Sequence, residues 1–70
     1  MSAAAITVNG RPRDTAPASL FDLVRAEGHD PDRRGLAVAV NGRVVPRDSW
    51  PATELAPGDA VEIVKPFAGG

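Results

Sequence analysis

Seventy residues with no cysteine, no tyrosine and a single histidine, His29, bound the chain to one small domain and leave little from which to assemble a catalytic site. Eight basic against nine acidic residues give a net charge of −1, and Arg11, Arg13, Arg25, Arg33, Arg34, Arg43, Arg47 and Lys65 are interleaved with acids, which excludes a nucleic-acid footprint. Without cysteine the chain cannot carry sulfur or an acyl group on a side-chain thiol, and its core must be held by close packing of Val, Leu, Ile and Ala.

Ala5-Ile6-Thr7-Val8 alternates in polarity, Asn9-Gly10 follows, and Arg11 to Thr15 resumes an extended run, which together predict a β-hairpin. Asn-Gly suits a two-residue type I′ turn because both central positions need positive φ. Pro12 lacks an N–H to donate and so belongs on an edge strand. Past Pro17 the period changes: Leu20, Leu23 and Val24 form one apolar stripe of a short helix over 19–27. Ser19 in front, Asp22 three residues on and Gly28 behind supply a near capping box and a stop.

Asp30 to Gly35 reads as a polar connector, after which Leu36 to Val40, Asn41-Gly42 and Arg43-Val44-Val45 repeat the strand, Asn-Gly, strand order. Pro46 stops that strand, and Arg47 to Leu55 is expected to be irregular with a turn of 3₁₀ helix. Ala56-Pro57-Gly58-Asp59 fits a type II turn, and a last strand, Ala60 to Val64, closes the domain. Two hairpins around one helix, ββαββ, with that closing strand, predict an α+β fold: a mixed sheet packed on one helix, the ubiquitin-like β-grasp. Ile6, Val8, Val38, Val40, Val61 and Ile63 are expected to face the helix. Thr7, Ala37, Ala39, Glu62 and Val64 then face solvent, and Ala37, Ala39 and Val64 make a flat, weakly polar candidate docking face.

Neither Asn-Gly pair is followed by a helix or a Gly-x-Lys pattern, so both read as turns and not as phosphate loops. His29 has no second ligand or nucleophile near it in sequence and reads as a solvated loop residue, so no catalytic or metal site is expected. Asp48 and Ser49 beside Arg47 lack the base a hydrolase requires. Asp48 is expected to cap the short turn while Trp50 lays its ring over the sheet end. Whether Arg47 and Trp50 contact a partner or only support the fold stays open, since Trp is also enriched at binding hot spots. No apolar stretch is long enough to span a bilayer, and Met1 to Ala5 has neither the basic start nor the apolar middle of a signal peptide, so the expected location is cytoplasmic.

The sequence ends Lys65-Pro66-Phe67-Ala68-Gly69-Gly70. Residues 1–65 are expected to form the domain and 66–70 a flexible tail bearing a free α-carboxylate with no side chain beside it. At up to ~3.5 Å per residue, five residues reach roughly 17 Å, enough to enter another protein's cleft. Pro66 would stiffen the exit and Phe67 offer one apolar handle.

Val38-Ala39-Val40-Asn41-Gly42-Arg43-Val44-Val45-Pro46-Arg47 with Trp50, followed by Leu55, Gly58-Asp59, Val61 and Ile63 and ending at Gly-Gly, resembles the sulfur carriers of thiamine biosynthesis, the ThiS family. The resemblance implies a carrier and not an enzyme, cytoplasmic and monomeric, binding no cofactor itself. It implies that an E1-like adenylyltransferase uses ATP and Mg to convert the Gly70 carboxylate to an acyl-adenylate. A cysteine desulfurase relay then supplies sulfur as a persulfide, leaving a C-terminal thiocarboxylate that thiazole synthase consumes. Pro66, Phe67, Ala68, Gly69 and Gly70 would thread the partner's channel, where a Cβ on either glycine would collide with the walls. Three alternatives stay open at this point: the small subunit of molybdopterin synthase, a sulfur carrier for another pathway, and a non-covalent ubiquitin-like interaction domain.

Overall fold

The computed structural model describes residues 5–65. Its elements are β1 (Ile6–Val8), β2 (Arg11–Arg13), α1 (Leu20–Ala26), β3 (Ala37–Val40), β4 (Arg43–Val44), a 3₁₀ helix (Arg47–Ala52) and β5 (Ala60–Val64). The five strands form one sheet in the order β2-β1-β5-β3-β4. β1 runs parallel to β5, and the other neighbours are antiparallel. The last strand in sequence is thus the central strand in space, and the expected mixed β-grasp sheet is present.

Both hairpins turn on positive-φ pairs, Asn9 at 51° with Gly10 at 82° and Asn41 at 52° with Gly42 at 83°, the type I′ geometry whose twist matches that of the strands. Gly58, at φ 90°, with Asp59 N–H donating to Ala56 O at 3.1 Å, closes the type II turn before β5. Pro12 lies on β2, an edge strand, as its missing donor requires. β2 ends at Arg13, short of the expected Thr15, where the Arg13 guanidinium turns to Thr15 O at 2.9 Å and to the Glu27 carboxylate at 3.1 Å.

α1 is capped at both ends. Ser19, extended at φ −142°, accepts from Asp22 N–H at 3.1 Å. At the other end Gly28 N–H donates to Arg25 O and His29 N–H to Val24 O, the paired bonds of a Schellman motif made possible by Gly28 at φ 88°. Leu20 N–H, one of the donors a helix start leaves over, is taken by Thr53 O at 2.8 Å, which fastens the segment after the 3₁₀ helix to α1.

Ile6, Val8, Val38, Val61 and Ile63 from the sheet, Leu20, Leu23 and Val24 from α1, and Leu36 and Trp50 form the buried core. Val40, expected on the same face, is only half-buried at its margin. Trp50 is 1% exposed, and its indole N–H donates to Val45 O at 2.9 Å, so its bulk goes into the core with its one polar atom satisfied. Asp48 does not cap the 3₁₀ helix. Pro46 occupies the N-cap position with no side-chain bond, and Asp48 falls one residue inside the first turn, past the position from which a carboxylate reaches the free N–H groups. The Arg47 guanidinium lies 5.0 Å above the Trp50 ring centroid and donates to Pro31 O and Arg33 O, tying the polar connector down over the tryptophan.

Candidate functional site

β5 leads to the C-terminal residues. Pro66, Phe67, Ala68, Gly69 and Gly70, the expected working end, lie outside the described residues. The strand before them alternates strictly, with Val61 and Ile63 buried and Ala60, Glu62 and Val64 exposed.

Each Asn-Gly turn also grips β5 through its asparagine side chain. At Asn9 the chain leaves β5 to form the first hairpin, and the Asn9 amide continues the ladder in place of a peptide group: Ile63 N–H donates to Oδ1 at 2.8 Å and Nδ2 donates to Ile63 O at 3.2 Å. At the other end and on the other side of the strand, Ala60 N–H donates to Asn41 Oδ1 at 2.9 Å, and Asn41 Nδ2 donates to Asp59 Oδ1 at 2.9 Å. Both ends of the central strand are therefore held by amides where backbone pairing stops.

α1 covers one face of the sheet. On the other, Ala37 stands opposite Val64, and Ala39 opposite Glu62 on β5 and opposite Val44 on β4. Ala37 and Val64 are exposed and Ala39 is half-buried, so the three residues expected to form a face are brought together. Val44, 74% exposed, extends the stripe and was not among them. Its signal was present in the sequence: a two-residue turn at 41–42 pairs Val40 with Arg43 and Ala39 with Val44, and opposed residues share a face. Val44 and Val64, the exposed large hydrophobic residues of the described chain, thus stand on either side of two alanines with Glu62 beside them.

His29 is half-buried in a cleft of about 300 Å³ lined also by Glu27, Asp30, Arg33, Leu36 and Lys65. Among the described residues no group of His, Cys, Asp and Glu could hold a metal, and no buried side-chain polar atom is left without a partner. Nor is any helix among them long and apolar enough to cross a membrane. The geometry offers a strand leading to a C-terminal segment and an apolar stripe on the open face.

The ThiS family model matches residues 6–70, from the first strand through Gly69-Gly70. The chain belongs to the ThiS family. Two solved structures of a thiamine biosynthesis protein from Geobacter metallireducens are similar to this ThiS-family chain at 32% identity. The crystal structure, of the protein named ThiS, has a TM-score of 0.72 over 93% of this chain and 97% of that one. The solution structure gives 0.74 over 94% and 87%. A comparison with curated proteins found no match.

Proposed function

We propose that this ThiS-family chain is a sulfur carrier for thiamine biosynthesis, a cytoplasmic monomer whose residues 1–65 are the handle and whose Gly70 is the working group. The observation that carries the reading is the family match through Gly69-Gly70, joined to a domain whose central strand leads to them. A carboxylate is a poor electrophile until one oxygen becomes a leaving group. The Gly70 carboxylate oxygen therefore attacks the α-phosphorus of Mg-ATP in an E1-like adenylyltransferase, and pyrophosphate departs. A persulfide from a cysteine desulfurase relay attacks the acyl carbon and AMP leaves; a second thiol of the relay cleaves the S–S bond, freeing the thiocarboxylate. Thiazole synthase takes that sulfur. ATP and Mg act in the partner, and the carrier's own contribution is recognition and reach.

Recognition is assigned to Ala37, Ala39 and Val64, extended by Val44, because an apolar stripe on the open sheet face presents a partner with surface that α1 does not use. Reach is assigned to Pro66, Phe67, Ala68, Gly69 and Gly70.

Intact-mass spectrometry after incubation with the adenylyltransferase, Mg-ATP and a sulfur source tests the chemistry. The expected result is the mass gain of one oxygen replaced by sulfur, lost on removal of Gly70 while the fold persists. No gain in the native chain would overturn the reading, and sulfur delivered to a molybdopterin-synthase large subunit instead of thiazole synthase would overturn the acceptor.

A further inference from the structure

Residues 8–11 and 40–43 are the same tetrapeptide, Val-Asn-Gly-Arg, folded into the same turn with φ values that agree within a degree. Asn-Gly is the dipeptide most open to spontaneous deamidation, since a glycine places no side chain in the way of its own nitrogen. At Gly10 and Gly42 nothing lies within 4 Å of where a Cβ would stand, so neither turn is shielded from that side. Local sequence and local backbone are matched, and the two sites differ in what holds the amide.

The Asn9 amide is bonded through both its oxygen and its nitrogen to the backbone of Ile63, a core residue 5% exposed. Both bonds are half-buried, so freeing that amide means detaching the end of β1 from the backbone of a core residue. The Asn41 amide is held at the surface, by Ala60 N–H and by the Asp59 carboxylate. Each hairpin has one edge strand, but the Asn41 bonds are exposed where those of Asn9 are half-buried, and β4 is two residues long against three for β2, so a local detachment of the β3–β4 turn from the start of β5 frees the Asn41 amide.

We propose that Asn41 is a spontaneous deamidation site gated by opening of the β3–β4 turn, and that Asn9 is its protected twin. In the opened turn the Gly42 backbone nitrogen, losing its proton to solvent, attacks the Asn41 side-chain carbonyl carbon; the C–N bond to the amide breaks and ammonia leaves. Water then opens the succinimide at one carbonyl or the other, giving aspartate or isoaspartate. The aspartate places a carboxylate where an amide donated to Asp59 Oδ1, and Asp59 is itself held in place by Ala56 N–H on Oδ2 at 2.8 Å. Two carboxylates then share the start of β5, which weakens the grip on the central strand. The isoaspartate adds a methylene to the backbone of a two-residue turn and moves Val44 out of register with Ala39.

The test is a time course of the full chain in mildly alkaline buffer, native and in concentrated guanidinium, with each site followed by peptide mapping and the mass gain of about one dalton. The native chain is expected to lose Asn41 at least ~3-fold faster than Asn9, and the denatured chain to lose both within about twofold of each other. An Asn9 that matches or outpaces Asn41 in the native state would overturn the proposal, as would a preference that survives denaturation or a native chain inert at both sites. Asp59→Ala removes the anchor and is expected to speed Asn41 while leaving Asn9 unchanged. An unaltered Asn41 rate in a variant that still protects Asn9 would also overturn it.

Discussion

Trp50 carries more of this fold than any other side chain of its size can. It is the largest of the fully buried residues, and its one donor is satisfied by Val45 O. Trp50→Ala is expected to cost about 3–5 kcal/mol, most of what a domain of this size possesses, so the variant should be largely unfolded by circular dichroism at room temperature. Trp50→Phe keeps a ring but strands the Val45 carbonyl, and its midpoint in urea should fall by the equivalent of roughly 1–3 kcal/mol. A Phe variant as stable as the parent would show that the indole bond contributes nothing. That Trp50 packs inward was readable from composition, since a small chain with one tryptophan seldom leaves it idle. The partners of Arg47 were not readable: its acceptors, the carbonyls of Pro31 and Arg33, sit on a connector with no periodicity to mark which way it lies. Asp48 failed as a cap for a related reason, because capping depends on where a 3₁₀ helix begins to within a single residue, and short helices give no such resolution.

At the scale of elements, α1 has seven residues and would not persist alone, so its ends and its apolar stripe must hold it. The stripe is fully used, with Leu20, Leu23 and Val24 each buried. Gly28→Ala retains the Schellman bonds only by forcing a residue with a Cβ to φ 88°, and since nothing crowds that position the cost is conformational, about 1 kcal/mol. Urea titration should show a lower midpoint with an unchanged slope, and an undiminished midpoint would mean the helix does not depend on that end. The elements were legible in the sequence because each carries its own punctuation: Asn-Gly twice, Ser19 and Gly28 around the helix, Pro57-Gly58 before β5. Their lengths were less so. β2 stops two residues early because Arg13 is drawn to Glu27 at the far end of α1, a contact that exists only once the chain has folded.

For the molecule as a whole, the order β2-β1-β5-β3-β4 puts the last strand between the two hairpins, and that placement makes the open face continuous across β5, β3 and β4. Three of the four residues of the apolar stripe on that face were legible from alternation alone, which pointed Ala37, Ala39 and Val64 outward. Val44 was overlooked because β4 is too short for alternation to be seen, although the turn length determines its register. Val64 and Val44 are 58% and 74% exposed, so a charged side chain at either position meets water in the free protein, and Val64→Glu or Val44→Glu should leave thermal stability within about 0.5 kcal/mol of the parent. In a complex the same carboxylate must be desolvated against an apolar surface, which on the proposed function weakens binding to the adenylyltransferase about tenfold or more. Titration calorimetry with the partner separates these consequences. Reduced affinity at both positions with intact folding assigns the stripe to recognition, and unaltered affinity at both removes it, leaving Gly70 and the segment before it to engage the partner on their own.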